Sequence, residues 1–181
     1  ALRGGDVLPE PWKSLPGNEM GGPVEPGLSA PDGAGVAKAE HTGMGGPDAR
    51  FAEIPLALVV STNNYRLTVY RHGAPVYAFP VGLGEDGATP GGMFRIANMI
   101  TGPDWYNRGE TVPAGDPRNP LGRHWMGLGG ENGATSYGIH PTEEPDSIGA
   151  NRSRGCIRMR PADAAYLFEL CETGMPVLIE P

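Results

Sequence analysis

Hydrophobic and polar positions divide the chain into two parts near its fiftieth residue. In residues 1–50 the few large apolar side chains, such as Leu8 and Trp12, recur at neither helical nor strand spacing. From Phe51 onward, apolar and alternating segments of strand length follow one another. The pattern therefore predicts a folded domain over residues 51–181, preceded by an N-terminal segment with no regular structure of its own.

Eight short strands are predicted in the folded domain. The alternation is clearest in residues 65–71, where Leu67 and Val69 share one face and Arg66 and Thr68 share the other. Short turns join the first three strands, which is the pattern of a β-meander. The predicted strands are residues 56–60, 65–71, 75–81, 93–96, 125–128, 137–139, 156–159 and 177–179.

One helix is predicted near the end of the chain. Pro161 suits a first helical position, and Gly174 followed by Pro176 ends the helical pattern. Apolar residues at i, i+3, i+4 and i+7 form its buried stripe, namely Ala164, Leu167, Phe168 and Cys171. The predicted fold class is mainly β, with a β-sandwich or meander and one C-terminal helix.

Residues 1–50 contain 11 Gly and 7 Pro. Such a composition is typical of a flexible leader or linker with extended and turn conformations. The alternative is that Trp12 and its neighbours dock on the following domain and line its cleft.

The charge of the chain excludes several classes of function. A formal net charge of -7 argues against nucleic-acid binding, which needs clustered positive charge. No run of 18 apolar residues is present, so no transmembrane segment is predicted. The first residues also lack the basic and then apolar layout of a secretory signal.

The two cysteines have different surroundings. Cys171 lies on the predicted apolar stripe, where a thiol behaves as a small hydrophobic group. A disulfide between Cys171 and Cys156 is the less favoured alternative. Cys156 lies among four arginines, at positions 152, 154, 158 and 160. Positive charge near a thiol lowers its pKa, so Cys156 is predicted to be a nucleophile.

A cysteine nucleophile needs a general base and an oxyanion site. His140 ends a predicted strand sixteen positions before Cys156, so the two side chains can share one cleft. The other histidines lie in the leader, in a turn and before a strand, at positions 41, 72 and 124. Gly155 allows close approach of a substrate, and the N–H groups of Gly155 and Cys156 are the predicted oxyanion donors.

These residues stand in motifs that resemble the L,D-transpeptidase catalytic domain (YkuD-like) family. The resemblance rests on Tyr137-Gly-Ile-His140, Ser147-Ile-Gly149 and Ser153-Arg-Gly-Cys156-Ile-Arg-Met159. Further similarity is spread over residues 55–180, at Leu67-Thr-Val-Tyr70, Phe79-Pro-Val-Gly82, Thr89-Pro90 and Asn119-Pro-Leu-Gly122. Residues 1–50 match nothing in the family.

The resemblance implies acyl transfer on peptidoglycan stem peptides through a thioester on Cys156, with His140 as the general base. It implies no cofactor and no metal, acylation of Cys156 by carbapenems, and a location in the periplasm or cell wall. Two alternatives remain. One is hydrolysis, by an L,D-carboxypeptidase or a wall-degrading toxin, and the other is a non-catalytic peptidoglycan-binding module.

The resemblance also gives roles to the neighbours of the predicted catalytic pair. Arg158 is the first predicted ligand for a stem carboxylate and Arg154 the second. Ser153 is predicted to bind substrate or to orient its loop, and Tyr137 to line the cleft. Residues 100–123, with Trp105 and Tyr106, form the predicted lid over the donor stem.

Two positions depart from the family pattern. Arg154 stands where the family commonly has His, and this cation still favours a thiolate. Pro141 stands where the family commonly has Gly. Its carbonyl is predicted to accept a hydrogen bond from Nδ1 of His140 and so to orient the imidazole. Nothing in the sequence indicates the oligomeric state.

Overall fold

The computed structural model describes residues 46–107 and 109–181, together with the backbone of Ala37–Lys38. This part of the chain is mainly β, as predicted. The strands are β1 Ala37–Lys38, β2 Ala57–Ser61, β3 Arg66–Arg71, β4 Ala74–Pro80, β5 Leu83–Gly84, β6 Gly92–Thr101, β7 Trp105–Asn107, β8 Glu110–Val112, β9 His124–Gly130, β10 Gly133–Pro141, β11 Asn151–Ser153, β12 Ile157–Met159 and β13 Pro176–Glu180. The α-helix is α1, Pro161–Leu170. Short 3-10 turns are formed by Ala49–Phe51, Glu85–Gly87 and Pro145–Ser147.

Nine strands form one sheet in the order β1-β4-β3-β2-β13-β6-β9-β10-β12. Most neighbours are antiparallel, as expected where short turns connect consecutive strands. Two pairs in this sheet are parallel, β2 with β13 and β10 with β12. The pairing of β10 with β12 matters for function because it sets the end of the predicted His140 strand beside the segment that follows Cys156.

The sheet curls until its two ends nearly meet. Gly82 lies two residues after the end of β4, and its N–H and carbonyl exchange hydrogen bonds of 2.8 Å with Arg158 in β12. A side chain at Gly82 would collide with the backbone carbonyl of Ser147, so only glycine permits this approach. The segment after β4 therefore joins the opposite end of the sheet and closes most of a barrel.

The apolar side chains inside this curled sheet form the main core. Leu58, Leu67, Phe79, Ile96 and Met126 are among its fully buried members. Burial of this kind is the main favourable term in folding. The helix α1 packs against β9 and β10 and contributes Ala164 and Leu167 to the same core.

The helix is shorter than the sequence predicts. It ends at Leu170, and Cys171 has extended backbone angles, although its N–H still donates to the Leu167 carbonyl at 3.0 Å. The placement of Cys171 on a helical stripe was therefore wrong. Its thiol nevertheless packs against the core, and burial raises its pKa to about 12. Both cysteines are free, so the disulfide alternative is also excluded.

A second apolar cluster covers the outer face of the sheet, next to the end of the predicted leader. Phe51 and Ile54 pack there on β2, β3 and β13. Arg50 forms ion pairs with Asp48 and Glu180, at 2.7 and 2.8 Å. Ala37–Lys38 also pairs with β4. The proposed docking of Trp12 lies outside the described residues, as does His41.

Candidate active site

Two rows of residues cross the outer face of four neighbouring strands. The pairing registers set Asn98 opposite Gly127, Gly127 opposite Gly138, and Gly138 next to the position of Cys156. The second row lies two residues further along each strand and consists of Ile100, Trp125, His140 and Arg158. Since side chains alternate between the faces of a sheet, both rows lie opposite the core residues Met126, Ile139 and Ile157.

Cys156 and His140 therefore occupy adjacent positions in these rows. Cys156 lies beside Gly138, and His140 is two residues further along the same strand. The sulfur is 4.0 Å from the Ser136 carbonyl and also accepts a hydrogen bond from the backbone of Gly138. Strands are about 4.8 Å apart and two residues rise about 7 Å, so Cys156 and His140 occupy diagonal positions roughly 8 Å apart on one face, within reach of each other's side chains. The topology thus brings together the two residues that the sequence pairs.

The ionisation of Cys156 differs from the sequence-based expectation. Burial raises the pKa of the thiol, and this outweighs the opposite effects of the Gly138 hydrogen bond and the Arg158 charge. The expected arginine cluster does not act on the sulfur as a group, because Arg152, Arg154 and Arg160 are exposed and only Arg158 contributes to its pKa. The expectation that the arginines lower the pKa of Cys156 was therefore wrong. The raised pKa favours the neutral thiol.

His140 is buried, with only 4% of its surface exposed. Burial lowers its pKa to about 4, with a smaller contribution from the Arg158 charge in the same direction. The Nδ1 atom lies 2.8 Å from the Pro141 carbonyl, in the hydrogen bond expected from the sequence. Since a carbonyl only accepts, Nδ1 carries the proton and Nε2 keeps its lone pair. The imidazole is a neutral base with a fixed tautomer.

The loop before Cys156 is held together by Ser153. This residue is 5% exposed, its hydroxyl donates to the Cys156 carbonyl at 2.6 Å, and it accepts from the Gly155 N–H at 3.0 Å. The hydroxyl therefore orients the loop and is not directed at a substrate. The Gly155 N–H is already engaged, so its prediction as an oxyanion donor fails. In the described part of the chain no acceptor contacts the Cys156 N–H, which keeps that role as a prediction.

Gly155 and Tyr137 support the loop from below. Gly155 has φ +127°, and a Cβ there would collide with the Tyr137 ring and lie 2.7 Å from the Ala88 carbonyl oxygen. The Tyr137 ring itself packs against the main core. Tyr137 is therefore a platform for the loop and not part of the cleft wall that the sequence predicts.

The two predicted substrate-binding arginines have different partners. Arg158 is mostly buried, with 16% of its side chain exposed, and its Nη1 lies 2.7 Å from Oε2 of the exposed Glu144. Its charge acts on both Cys156 and His140. Arg154 is exposed and reaches Oδ1 of Asn107 at 3.5 Å. Arg158 is thus a cation inside the site, whereas Arg154 links the catalytic loop to the predicted lid.

The predicted lid contains a β-hairpin, formed by β7 and β8. Tyr106 on this hairpin is 76% exposed. Asn119 fixes the base of the loop, because its amide lies 2.8 Å from the Pro103 carbonyl and 3.3 Å from the Val112 and Pro113 carbonyls. Among the described residues, Asn107 of this hairpin contacts Arg154 in the loop before Cys156.

Of the remaining histidines, His124 faces away from the site. Its ring packs on Phe168 of α1 at a centroid distance of 4.8 Å, and burial lowers its pKa. No three His, Cys, Asp or Glu side chains are grouped for metal binding in the ranges that the structure describes. In the same ranges, no helix has the length and apolar character needed to cross a membrane.

The sequence does not predict the roles of two residues of the site. Trp125 stacks on His140 at a centroid distance of 6.0 Å, and Glu144 pairs with Arg158. The predicted strand 125–128 contains Trp125, but the sequence does not reveal which strand lies opposite it. Glu144 lies in a loop without periodicity, so nothing in the sequence indicates its partner.

A family model and curated relatives agree with this geometry. The model of the L,D-transpeptidase catalytic domain (YkuD) matches residues 55–179. A putative L,D-transpeptidase YkuD of Bacillus licheniformis is 33% identical over 140 residues, which cover 77% of this chain and 72% of that protein. The chain therefore belongs to the L,D-transpeptidase catalytic domain family.

Other relatives match over a smaller share of their length. The putative L,D-transpeptidase YqjB of Bacillus subtilis is 38% identical over 106 residues, which are 58% of this chain and 58% of that protein. The structure of L,D-transpeptidase 3 from Mycobacterium tuberculosis has a TM-score of 0.57 at 17% identity, covering 70% of this chain and 61% of that one. A structure of the L,D-transpeptidase LdtMt1 in complex with imipenem has a TM-score of 0.54 at 26% identity, covering 58% of that chain.

Proposed function

We propose that this protein transfers acyl groups between peptidoglycan stem peptides through a thioester on Cys156. The observation that supports the proposal most directly is the pair of side chains of His140 on β10 and Cys156 just before β12. A partly buried thiol and a neutral, oriented imidazole are neighbours on one face of the sheet. A nucleophile beside an oriented base is the requirement for covalent catalysis by cysteine.

The first half-reaction forms the thioester. As Sγ attacks the carbonyl carbon after the L-centre of the stem's third residue, the thiol proton moves to Nε2 of His140. The Cys156 N–H donates to the oxyanion that forms. When the C–N bond breaks, the imidazolium returns the proton to the leaving amine of the terminal D-alanine.

The second half-reaction releases the product. The amine of a second stem attacks the thioester carbon, His140 accepts the proton that the amine loses, and the sulfur leaves and is reprotonated. Water in place of the amine gives hydrolysis. Because the resting groups are a thiol and a neutral imidazole, proton transfer accompanies attack and does not precede it.

Arg158 is proposed to bind a carboxylate of the stem. It is the cation that lies nearest the reacting groups, and guanidinium groups bind carboxylates through two parallel hydrogen bonds. Glu144 holds this guanidinium before substrate binds. The exposed Glu144 carboxylate can move into solvent when a substrate carboxylate replaces it.

A protein with this substrate acts where peptidoglycan is found. We therefore place the activity in the periplasm or cell wall, with stem peptides as the partner and no nucleic acid.

The test is covalent labelling followed by product analysis. We expect meropenem to add its mass to the intact chain, and peptide mapping to locate the adduct on Cys156. Cys156→Ala should lose both the adduct and activity on purified disaccharide tetrapeptides. Cys171→Ala is the matched control because it removes the other cysteine, which is partly buried beyond the end of α1, and it should keep both.

Mass spectrometry of the products separates the possible acceptors. Cross-linked dimers support transfer, whereas shortened monomers alone indicate hydrolysis and overturn the transfer proposal. Full activity of Cys156→Ala, or binding to sacculi without any adduct, would overturn the proposed catalytic role.

A further inference from the structure

The indole of Trp125 is held by four neighbouring residues. Its Nε1 donates to Oδ1 of Asn98 on β6 at 3.1 Å. Its ring lies against Gly127 of its own strand and Gly138 of β10, and on its far side it stacks on His140 with an interplanar angle of 25°. The indole thus spans three strands of the sheet beside the predicted catalytic pair.

The two glycines are needed to seat the ring. A Cβ at Gly138 would lie 2.5 Å from Cη2 of the indole, and a Cβ at Gly127 would lie 2.8 Å from Nε1 and 2.5 Å from the Asn98 oxygen. Separations below 3.0 Å are repulsive and force atoms to move. Any side chain at these two positions would therefore displace the indole, so the glycines and Trp125 form one arrangement.

The stacked ring restricts His140 in a direction that the Pro141 hydrogen bond does not. The bond from Nδ1 to the Pro141 carbonyl fixes one ring atom, but the imidazole is still free to swing about that atom. The indole stacks beside the imidazole with 6.0 Å between the ring centroids, so it limits this motion on one side. It also contributes to the burial of His140, which is 4% exposed.

We propose that Trp125 is a positioning residue for His140, holding the imidazole plane so that Nε2 is directed at the Cys156 proton. Asn98 acts through the indole by fixing its edge. The inference rests on the proposed function, because it assigns His140 the role of base. It extends that function by naming the residues that hold the base in place.

Burial by the indole also has a consequence for proton binding. Among the described residues, the charged group that acts on His140 is Arg158 of β12. The titratable Cys156 thiol lies at the diagonal position on the same face of the sheet. Arg158 opposes protonation, and removal of the indole leaves it in place. Loss of the indole admits water to the imidazole and is expected to move the pKa of His140 upward from about 4 toward the ordinary value of 6.5.

The experiment compares Trp125→Leu with Trp125→Phe. Leucine removes the ring plane and the hydrogen bond, whereas phenylalanine restores a ring without the Nε1 donor. We expect the rate constant for meropenem acylation to fall at least tenfold in Trp125→Leu. In Trp125→Phe it should stay within about threefold of the wild-type value. The acid limb of the pH profile of the acylation rate should move to higher pH in the leucine variant.

Phe168→Leu is the matched control. It removes an aromatic ring that packs on a different imidazole, His124, on the face of the sheet away from the site. If Phe168→Leu loses a similar amount of packing but keeps the wild-type acylation rate, the effect of Trp125→Leu is due to positioning and not to general destabilisation. An equal fall in Phe168→Leu and Trp125→Leu would overturn the proposal.

A second measurement does not depend on activity. Long-range ¹H–¹⁵N NMR of the imidazole reports the tautomer and pKa of His140 directly. If Trp125→Leu raises that pKa while wild type is not acylated, the positioning inference stands and the proposed reaction fails. If wild type is acylated but the leucine variant matches it in rate and in His140 titration, the inference fails and the proposed reaction stands.

Discussion

The salt bridge between Arg158 and Glu144 sets a residue-scale condition on substrate binding. Arg158 is mostly buried beside the reacting groups, whereas 66% of the Glu144 side chain is exposed. If a stem carboxylate binds Arg158, it must compete with a carboxylate that the chain already supplies. An exposed ion pair contributes up to about 1 kcal/mol, which corresponds to roughly fivefold in affinity.

Glu144→Gln is therefore expected to lower KM for a stem tetrapeptide about threefold to fivefold and to leave kcat unchanged. Steady-state kinetics on the purified tetrapeptide provides the measurement. Glu180→Gln is the control, since it removes a carboxylate partner of Arg50 far from the site. For the same tetrapeptide with amidated carboxylates, Glu144→Gln should leave KM unchanged. A raised or unchanged KM in Glu144→Gln would contradict the proposed binding of the stem carboxylate to Arg158.

The sequence predicts the identity of the reacting residues better than their ionisation. Cys156 and His140 follow from motif and spacing, and the Pro141 hydrogen bond follows from the chemistry of a carbonyl next to an imidazole. The pKa of Cys156 does not follow, because burial depends on which strands cover the thiol. Ser153 orients the loop, which is one of its two predicted roles, whereas Tyr137 supports the loop and does not line the cleft as predicted.

The hairpin of β7 and β8 provides a prediction at the scale of an element. Its strands have only three residues each, so the hairpin depends on contacts at its base. Asn119 supplies these by donating to the Pro103, Val112 and Pro113 carbonyls and by accepting from the Leu121 N–H at 3.0 Å. Its loss would remove a donor from the partly buried Pro103 and Val112 carbonyls, which costs stability at the base of the hairpin.

Asn119→Ala is expected to loosen the hairpin without changing the catalytic pair. Limited proteolysis between residues 103 and 121 should become at least tenfold faster, and KM for a stem tetrapeptide should rise several-fold. Acylation by meropenem, which is smaller than a stem, should stay near wild type. Asn64→Ala removes an amide that bonds Ser61 in a distant turn and serves as the control. Wild-type protease resistance and KM in Asn119→Ala would show that the hairpin does not act as a lid.

Strand prediction succeeded where the pattern was local and failed where it was not. The strands β2, β3, β4 and β13 lie within a residue or so of their predicted bounds, because alternation and turns mark them. The strand β6 extends to Thr101, well beyond the predicted residue 96, since its second half is only partly buried, with Met99 against the core and Ile100 exposed. Closure of the sheet through Gly82 and Arg158 is a long-range contact that periodicity does not encode.

At the scale of the whole molecule, the buried His140 links stability to pH. An unfolded histidine has a pKa near 6.5, whereas burial lowers that of His140 to about 4. Between these values the unfolded chain binds a proton that the folded protein does not, so acid favours unfolding. The contribution of His140 is therefore fully present above pH 6.5, is lost as the pH falls toward 4, and changes no further below it.

The loss over this window is expected to be about 3 kcal/mol in the free energy of unfolding, from two to three pKa units at about 1.4 kcal/mol each. Urea unfolding of wild type and His140→Gln at pH 7, 5.5 and 4 measures it, and the difference between the two curves isolates the histidine from other titrating groups. Cys156→Ala retains the imidazole and should keep the wild-type slope. Parallel curves for wild type and His140→Gln would mean that His140 binds its proton equally in the folded and unfolded chain. The imidazole would then titrate near pH 6.5, and the resting site would lose the neutral base on which the proposed proton transfer depends.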